Sequence, residues 1–250
     1  MSLSLPAFSL RDHQGLERFF PSGRNTVIAF VKEDCATCNL VAPLLDQLRS
    51  APDLEVLIVG QEAHGNQALI ERHRLRLPIL DDSALKISFA YGIDTVPTLI
   101  LANGEGFEQA RLIGFERAEW QRFFANLQCC GIDWDRLPAW RPGCGSKSAD
   151  PLISDRLRAE AENSPLRARR IEIASADDEF EFMFDQGITD GLPVVPPTPE
   201  RIIRMLSATR RDPQDVVALV PPNLAPATVE KVAVNAVMAG CRPSYLPVVI

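Results

Sequence analysis

Residues 26–48 read TVIAFVKEDCATCNLVAPLLDQL, a short apolar run followed by two closely spaced cysteines. Residues 26–31 have the length and apolar content of a buried strand. Across residues 40–48, leucine and valine recur at helical spacing. The stretch therefore predicts a strand that leads directly into a helix, with Cys35 and Cys38 at the junction.

A Cys-x-x-Cys pair at such a junction suits thiol chemistry. The first turn of a helix has free N–H groups and a positive partial charge, which stabilise a thiolate and lower the pKa of a cysteine below its ordinary value of about 8.5. We expect Cys35 to be the more exposed thiol and to attack a disulfide. Cys38, one turn further along the helix, would then resolve the mixed disulfide.

A zinc site or a pair of inert core thiols would require different surroundings. A zinc site needs two further ligands, and the adjacent Cys129 and Cys130 make a poor second pair. Inert core cysteines are equally disfavoured at a strand–helix junction. We therefore expect neither a metal site nor a cofactor.

A second motif allows the pair to be compared with a known family. Residues 30–46, FVKEDCATCNLVAPLLD, resemble the active-site strand and helix of the thioredoxin-like family, and residues 91–99, YGIDTVPTL, resemble its cis-proline loop. Residues 8–12 and 77–81 are similar to the redoxin branch of that family. The resemblance covers residues 6–128.

This resemblance implies an α/β architecture, the thioredoxin fold, in which helices flank a central mixed sheet. It implies that Cys35 and Cys38 are catalytic and that the Val96–Pro97 peptide bond is cis. It also implies that Val96 and Pro97 bind the extended chain of a substrate. The implied activity is thiol–disulfide oxidoreduction, with a protein disulfide as substrate and an upstream thiol as reductant.

Three positions depart from the family pattern. Asp34 stands where the family has tryptophan, Ala29 where a buried acid is common, and Thr37 where proline is frequent. Without the buried acid, we expect the proton of Cys38 to leave through water or another group. Acidic neighbours oppose a thiolate at Cys35 while a lysine and the helix terminus favour it, and the sequence does not rank these influences.

Composition and pattern argue against several other functions. Lys and Arg total 26 and Asp and Glu total 33, so the net charge of −7 gives no attraction to nucleic acid or anionic lipid. No apolar run reaches the roughly 18 residues that cross a bilayer, and the N-terminal residues lack a signal-peptide pattern, so we expect a cytoplasmic protein. Neither cysteine has the Pro-x-x-x-Thr/Ser-x-x-Cys pattern of peroxiredoxins, which disfavours a thiol peroxidase.

The domain organisation follows from a change in proline content, because 14 of the 20 prolines come after the last helix predicted for the first half. We expect a thioredoxin-like redox domain at residues 1–128 and a connector rich in Cys, Pro and Gly at residues 129–170. A second α/β segment should occupy residues 171–250. Trp134 and Trp140 are expected to pin the connector to a domain surface.

The connector also carries three candidate relay thiols. Cys129 and Cys130 are adjacent, and Cys144 lies between two glycines in a turn-rich stretch. One hypothesis is that a flexible cysteine, Cys144 first among them, exchanges electrons with Cys35. The other is that all three thiols are incidental.

Residues 171–250 have no recognised function. They predict a buried strand end at residues 191–198, a helix that begins at Pro199, a strand at residues 215–220 and a helix at residues 227–239. Because the chain stops in an apolar run, we expect this segment to be incomplete. Two functions remain open: an oxidoreductase that acts on a protein partner or on its own second segment, and a redox module that serves a separate catalytic or ligand-binding domain.

Overall fold

The computed structural model describes residues 3–174 and 178–250. The chain divides into two compact units, Met1–Ser154 and Asp155–Ile250. The strands and helices of the first unit, in chain order, are β1 (Phe8–Arg11), β2 (Glu17–Phe20), β3 (Asn25–Val31), α1 (Ala36–Gln47), β4 (Leu54–Gly60), α2 (Ala63–His73), β5 (Ile79–Asp81), α3 (Lys86–Ala90), β6 (Thr95–Val96), β7 (Thr98–Ala102), β8 (Glu108–Ile113), β9 (Phe115–Glu116), α4 (Arg117–Asn126), β10 (Trp140–Arg141) and β11 (Cys144–Gly145). Helix α5 (Pro151–Ala161) spans the boundary between the units in the sequence.

The first unit is built on a five-stranded mixed sheet in the order β5–β4–β3–β7–β8. The central strand β3 pairs parallel with β4 and antiparallel with β7, and its last six residues are buried. A strand covered on both faces is nearly continuously apolar, which explains why residues 26–31 show no alternation. Helices α1 and α4 contribute their buried residues to the same core. The predicted mixed sheet flanked by helices is confirmed.

The first unit extends beyond the expected boundary at residue 128, because the chain that follows α4 packs against it. Strand β10 pairs with β9, and β11 pairs with β6, both antiparallel. The Trp134 ring packs edge-on against Phe124, with the ring centroids 5.5 Å apart. The Trp140 side chain is 65% exposed, so that residue is held by its backbone. Residues 129–154 are therefore part of the first unit and not a flexible tether.

The second unit has a smaller core of its own. Its helices and strands are α6 (Glu179–Asp185), α7 (Pro199–Leu206), β12 (Val216–Val220), β13 (Ala225–Thr228), α8 (Val229–Met238) and α9 (Leu246–Val249). The core combines apolar residues of α7 and α8 with Leu166 and Leu246. The buried Glu230 carboxylate accepts the N–H groups of Arg167 and Ala168. The strand predicted at residues 191–198 does not form, since these residues have no ladder partner in the described chain.

Candidate active site

Cys35 is the N-cap residue of α1, at the end of the connection from β3. Its extended backbone (φ −94°, ψ 115°) turns the chain into the helix, and its Sγ accepts the N–H of Cys38 at 3.3 Å. The Sγ atom also lies 3.4 Å from the carbonyl oxygen of Val96, to which the protonated thiol donates. The strand–helix junction thus places Cys35 between the free N–H groups of α1 and the loop of Pro97.

The environment of Cys35 favours the thiolate. The hydrogen bond from the Cys38 thiol is the largest of the influences that lower the pKa of Cys35 from 9.0 to about 5. Burial opposes this effect, while a hydrogen bond from the Cys144 thiol and the N–H groups of Cys38 and Thr37 add to it. With a pKa of about 5, Cys35 is ionised at neutral pH.

Cys38 has the opposite character. Burial raises the pKa of its thiol strongly, and the neighbouring Cys35 raises that pKa further. The N–H of Lys32 lies 3.5 Å from Sγ of Cys38 and partly offsets these influences. Cys38 therefore stays protonated while Cys35 carries the charge.

The charged neighbours of Cys35 are paired with each other. Asp34 lies 3.3 Å from the ammonium group of Lys32, and the Glu33 carboxylate forms an ion pair with Arg72. Because both carboxylates have a cationic partner, the thiol and N–H donors around Cys35 set its ionisation. This ranks the opposing influences that the sequence leaves open.

The expectation that Cys35 is more exposed than Cys38 is wrong, since both residues have 0% exposure. The cause is the chain that follows β10. The Thr37 hydroxyl donates to the carbonyl oxygen of Pro142 at 2.5 Å, and Cys144 pairs with Val96. Residues 141–146 therefore cover the start of α1.

The loop of Pro97 supplies the other wall of the site. The Val96–Pro97 bond is cis, the geometry that the family resemblance implies. The carbonyl oxygen of Pro97 accepts the N–H of Gly114 at 2.8 Å. The two residues before Pro97, Thr95 and Val96, pair with β11. Val96 thus contacts the Cys35 sulfur on one side and lies opposite Cys144 on the other.

Of the candidate relay thiols, Cys144 alone is placed beside Cys35. The hydrogen bond to Cys35 is the first cause that raises the pKa of Cys144, followed by burial and by repulsion from the Cys35 charge. The Lys32 ammonium group and the N–H of Ala36 lower that pKa, so the Cys144 sulfur also faces the start of α1. Cys144 is a thiol that donates to the Cys35 thiolate.

The other two candidates lie elsewhere. The Cys129 thiol donates to the carbonyl oxygen of Gln47 at 3.5 Å, at the last residue of α1. A helix of 12 residues is about 18 Å long, so Cys129 lies at the opposite end of α1 from Cys35. Cys130 is exposed next to it. The structure therefore does not bring either thiol to Cys35.

Several residues of the site could not be identified from the sequence. Gln61 is 2% exposed, and its side-chain amide donates to the hydroxyls of Ser88 and Ser146. Its oxygen accepts the N–H of Lys147, and the Ser148 hydroxyl donates to the carbonyl of Ile93. This buried polar network holds the chain just after Cys144, and the turn-rich composition of the segment gives no sign of it.

The described residues offer no clustered ligands for a metal ion. Within residues 3–174 and 178–250, no three histidine, cysteine or acidic side chains cluster as a metal-binding group.

In the same part of the chain, no helix is both long and apolar enough to cross a membrane. All six cysteines are free thiols.

No protein-family model and no curated protein sequence matches the chain. Solved structures are similar to about half of it. StoA from Bacillus subtilis is 22% identical and covers 50% of this chain and 99% of its own, with a TM-score of 0.43. A secreted Mycobacterium tuberculosis disulfide oxidoreductase homologous to E. coli DsbE is 19% identical, covers 48% and 95%, and has a TM-score of 0.43. Peroxidoxin BcpB from the same organism is 14% identical, covers 52% and 97%, and has a TM-score of 0.44.

The fold itself is argued from the chain. A mixed sheet in the order β5–β4–β3–β7–β8 has the dithiol at the start of the helix after its central strand, and a cis-proline loop beside the thiols. The first unit therefore has the thioredoxin fold, and the second unit lies outside this likeness.

Proposed function

We propose that the first unit is a thiol–disulfide oxidoreductase that reduces or exchanges disulfides of a protein partner, with an upstream thiol as its reductant. The single observation that carries the proposal is the pairing of unlike thiols at the start of α1. Cys35 has its pKa lowered to about 5, whereas burial keeps Cys38 protonated. A thiolate is the attacking species in disulfide exchange, and a protonated neighbour is held in reserve to resolve the adduct.

The reaction proceeds in two exchanges. The Cys35 thiolate attacks one sulfur of the substrate disulfide, which forms a bond to Cys35 and releases the other substrate sulfur as a thiolate. Cys38 then loses its proton and attacks Sγ of Cys35, which releases the second substrate thiolate. The Cys35–Cys38 dithiol has then given two electrons to the substrate and become a disulfide. An upstream thiol reduces this disulfide and so regenerates the dithiol.

Reduction of insulin disulfides by dithiothreitol tests this proposal. We expect the protein to accelerate the reaction, and Cys35→Ser to abolish the acceleration because the attacking thiolate is gone. Cys38→Ser should instead stop after the first exchange, with a disulfide on Cys35 that Cys38 can no longer resolve. Cys130→Ser is the matched control, since that exposed thiol should not affect the rate. Equal rates for the protein and Cys35→Ser would overturn the proposal.

A further inference from the structure

Strand β11 lies along the backbone edge beside the catalytic thiol. Cys144 is opposite Val96 and Gly145 is opposite Thr95 in an antiparallel pair, and the N–H of Ser146 donates to the carbonyl of Asp94 at 2.8 Å. Extended peptides bind proteins by adding a strand in this way, through main-chain hydrogen bonds. The edge is filled here by residues 141–146 of the same chain, which we call the resident strand.

Specific contacts hold the resident strand at both ends. Before Cys144, the Thr37 hydroxyl donates to the Pro142 carbonyl. After Cys144, the buried Ser146 hydroxyl accepts from the Gln61 amide at 2.6 Å. Thr37 lies within the Cys-x-x-Cys motif itself, so one of the positions that depart from the family pattern is used to bind this segment.

Gly143 shows how closely the resident strand fits. A Cβ atom at this position would collide with the methyl group of Thr95 and lie 2.8 Å from the carbonyl oxygen of Val96. A Cβ atom on Gly145, two residues further on, would meet no described atom within 4 Å. The backbone therefore approaches the cis-proline loop at a point where no side chain fits.

We propose that the resident strand is an internal substrate of the dithiol and that Cys144 is its third redox-active thiol, which forms a disulfide with Cys35 as an alternative to the Cys35–Cys38 disulfide. The inference rests on the proposed function, because it requires Cys35 to exchange disulfides. Its geometric basis is that Val96 lies opposite Cys144 in the strand pair and its carbonyl oxygen lies 3.4 Å from Sγ of Cys35.

The exchange needs no outside oxidant once the dithiol is oxidised. The Cys144 thiol loses its proton and attacks Sγ of Cys35 in the Cys35–Cys38 disulfide. A Cys35–Cys144 bond forms, the Cys35–Cys38 bond breaks, and Cys38 leaves as a thiolate that takes up a proton. Cys38 reverses the step by attacking Sγ of Cys35, so the chain holds one disulfide in two interchangeable positions.

The resident strand also competes with outside substrates. A thiol held on the same chain acts at an effective concentration of about millimolar or more, whereas a protein partner present at micromolar concentration is about a thousandfold more dilute. An external protein disulfide must therefore displace residues 141–146 before it can reach Cys35. Release of the resident strand should accelerate reduction of outside disulfides.

Peptide mapping of a Cys38→Ser protein tests the proposal. Glutathione disulfide is added as oxidant, so that Cys35 first takes up one glutathione and Cys144 then displaces it as glutathione thiolate. After free thiols are blocked, trypsin releases Cys35 in residues 33–49, Cys144 in residues 137–147 and Cys129 in residues 123–136. We expect a link between the first two peptides within one chain as the main product.

Gly143→Ala and Gly145→Ala form a matched pair for the same experiment. On the Cys38→Ser background, Gly143→Ala should reduce the link about tenfold, because overpacking of this kind shifts a docking equilibrium by at least that factor. Gly145→Ala should retain the link, since its Cβ atom meets open space. With both catalytic cysteines present, Gly143→Ala should reduce insulin about tenfold faster than Gly145→Ala.

The outcomes separate the two proposals. If Cys35 carries glutathione but no peptide link to Cys144 appears, the resident strand is not a substrate, while the proposed function still holds. If neither glutathione nor a link appears on Cys35, the proposed function fails and the inference fails with it. A link from Cys35 to Cys129 would also overturn the inference. The mapping of the Cys38→Ser protein decides the question even if Gly143→Ala does not fold.

Discussion

Two cysteine-bearing stretches follow helix α4 in the first unit, and they have opposite surroundings. Residues 129–131 and residues 143–145 both combine cysteine with glycine, so the sequence alone offers both as relay thiols. Cys129 lies at the carboxyl end of α1 and Cys144 at its amino end. Distance along the sequence from Cys35 therefore does not predict whether Cys129 or Cys144 lies next to Cys35.

The two ends of α1 offer a thiol different hydrogen-bond partners. At the carboxyl end the carbonyl of Gln47 accepts from the Cys129 thiol, and burial raises the pKa of Cys129. At the amino end the free N–H groups point toward sulfur, and the Cys144 thiol donates to an ionised Cys35. The two ends of α1 thus give their thiols different surroundings, and the following variants, each with a control, test the amino end.

The largest effect is expected for Gln61→Ala. Its side chain is 2% exposed and bonds to Ser88, Ser146 and Lys147, so truncation leaves several buried polar groups without partners. Each unsatisfied group costs about 1–3 kcal/mol, and we expect the free energy of unfolding to fall by about 3 kcal/mol. Urea unfolding followed by circular dichroism measures this change.

Gln109→Ala is the control for that measurement. The Gln109 side chain is exposed and donates only to backbone oxygens of the two preceding residues. Its replacement should change stability by about 0.5 kcal/mol or less. Equal losses for the two variants would mean that the network around Ser146 does not hold the segment after Cys144.

A smaller effect is expected for Thr37→Val, which removes the hydroxyl that donates to Pro142 without changing side-chain size greatly. The loss of one hydrogen bond of about 1 kcal/mol should increase the open fraction of the resident strand about fivefold. A bulky maleimide then labels Cys35 about fivefold faster. The exposed Cys130 should be labelled at an unchanged rate and serves as the internal reference.

Thr26→Val is the matched control for Thr37→Val. Thr26 is fully buried, and its hydroxyl donates to the carbonyl of Arg24 at 3.0 Å, in a strand rather than at the active site. It should lower stability by a comparable amount but leave the labelling of Cys35 unchanged. If both variants speed the labelling equally, a general loss of stability of the first unit accounts for the result. The contact between Thr37 and Pro142 would then not limit access to Cys35.

The central strand and the dithiol could be predicted because their signals are local. A strand buried on both faces is nearly continuously apolar, and residues 27–31 are apolar without a break. Two cysteines at a strand–helix junction must lie at the N-terminus of that helix, which is where the structure has Cys35. The opposite pKa shifts of the two thiols depend also on their contact with each other and on the burial of Cys38.

The covering of the site could not be predicted, because backbone pairing leaves little trace in sequence. Strand β11 has two residues, too few to show the alternation by which strands are recognised. Its fit depends on Gly143 having no side chain and on a hydroxyl at Thr37, and neither requirement forms a pattern. A turn-rich segment with proline and glycine suggests flexibility, although here backbone hydrogen bonds hold it in place.

The smallest expected effect is on the pKa of Cys35, and it distinguishes Cys144 from Cys129 most directly. The Cys144 thiol donates to Cys35, so Cys144→Ala removes one influence that lowers the pKa of Cys35 from 9.0 to about 5. The titration midpoint should therefore move upward, and by only a small part of the total shift because a thiol is a weak donor. Ultraviolet absorbance of the thiolate measures the midpoint, and the raised pKa values of Cys38 and Cys144 keep those thiols out of the acidic range.

Cys144→Ser should restore a value near that of the parent protein, because a hydroxyl can also donate. Cys129→Ala should leave the midpoint unchanged, since Cys129 lies at the other end of α1. A downward shift with Cys144→Ala would mean that Cys144 affects Cys35 only by burying it. Equal shifts for the two alanine variants would mean that the effect is not specific to Cys144.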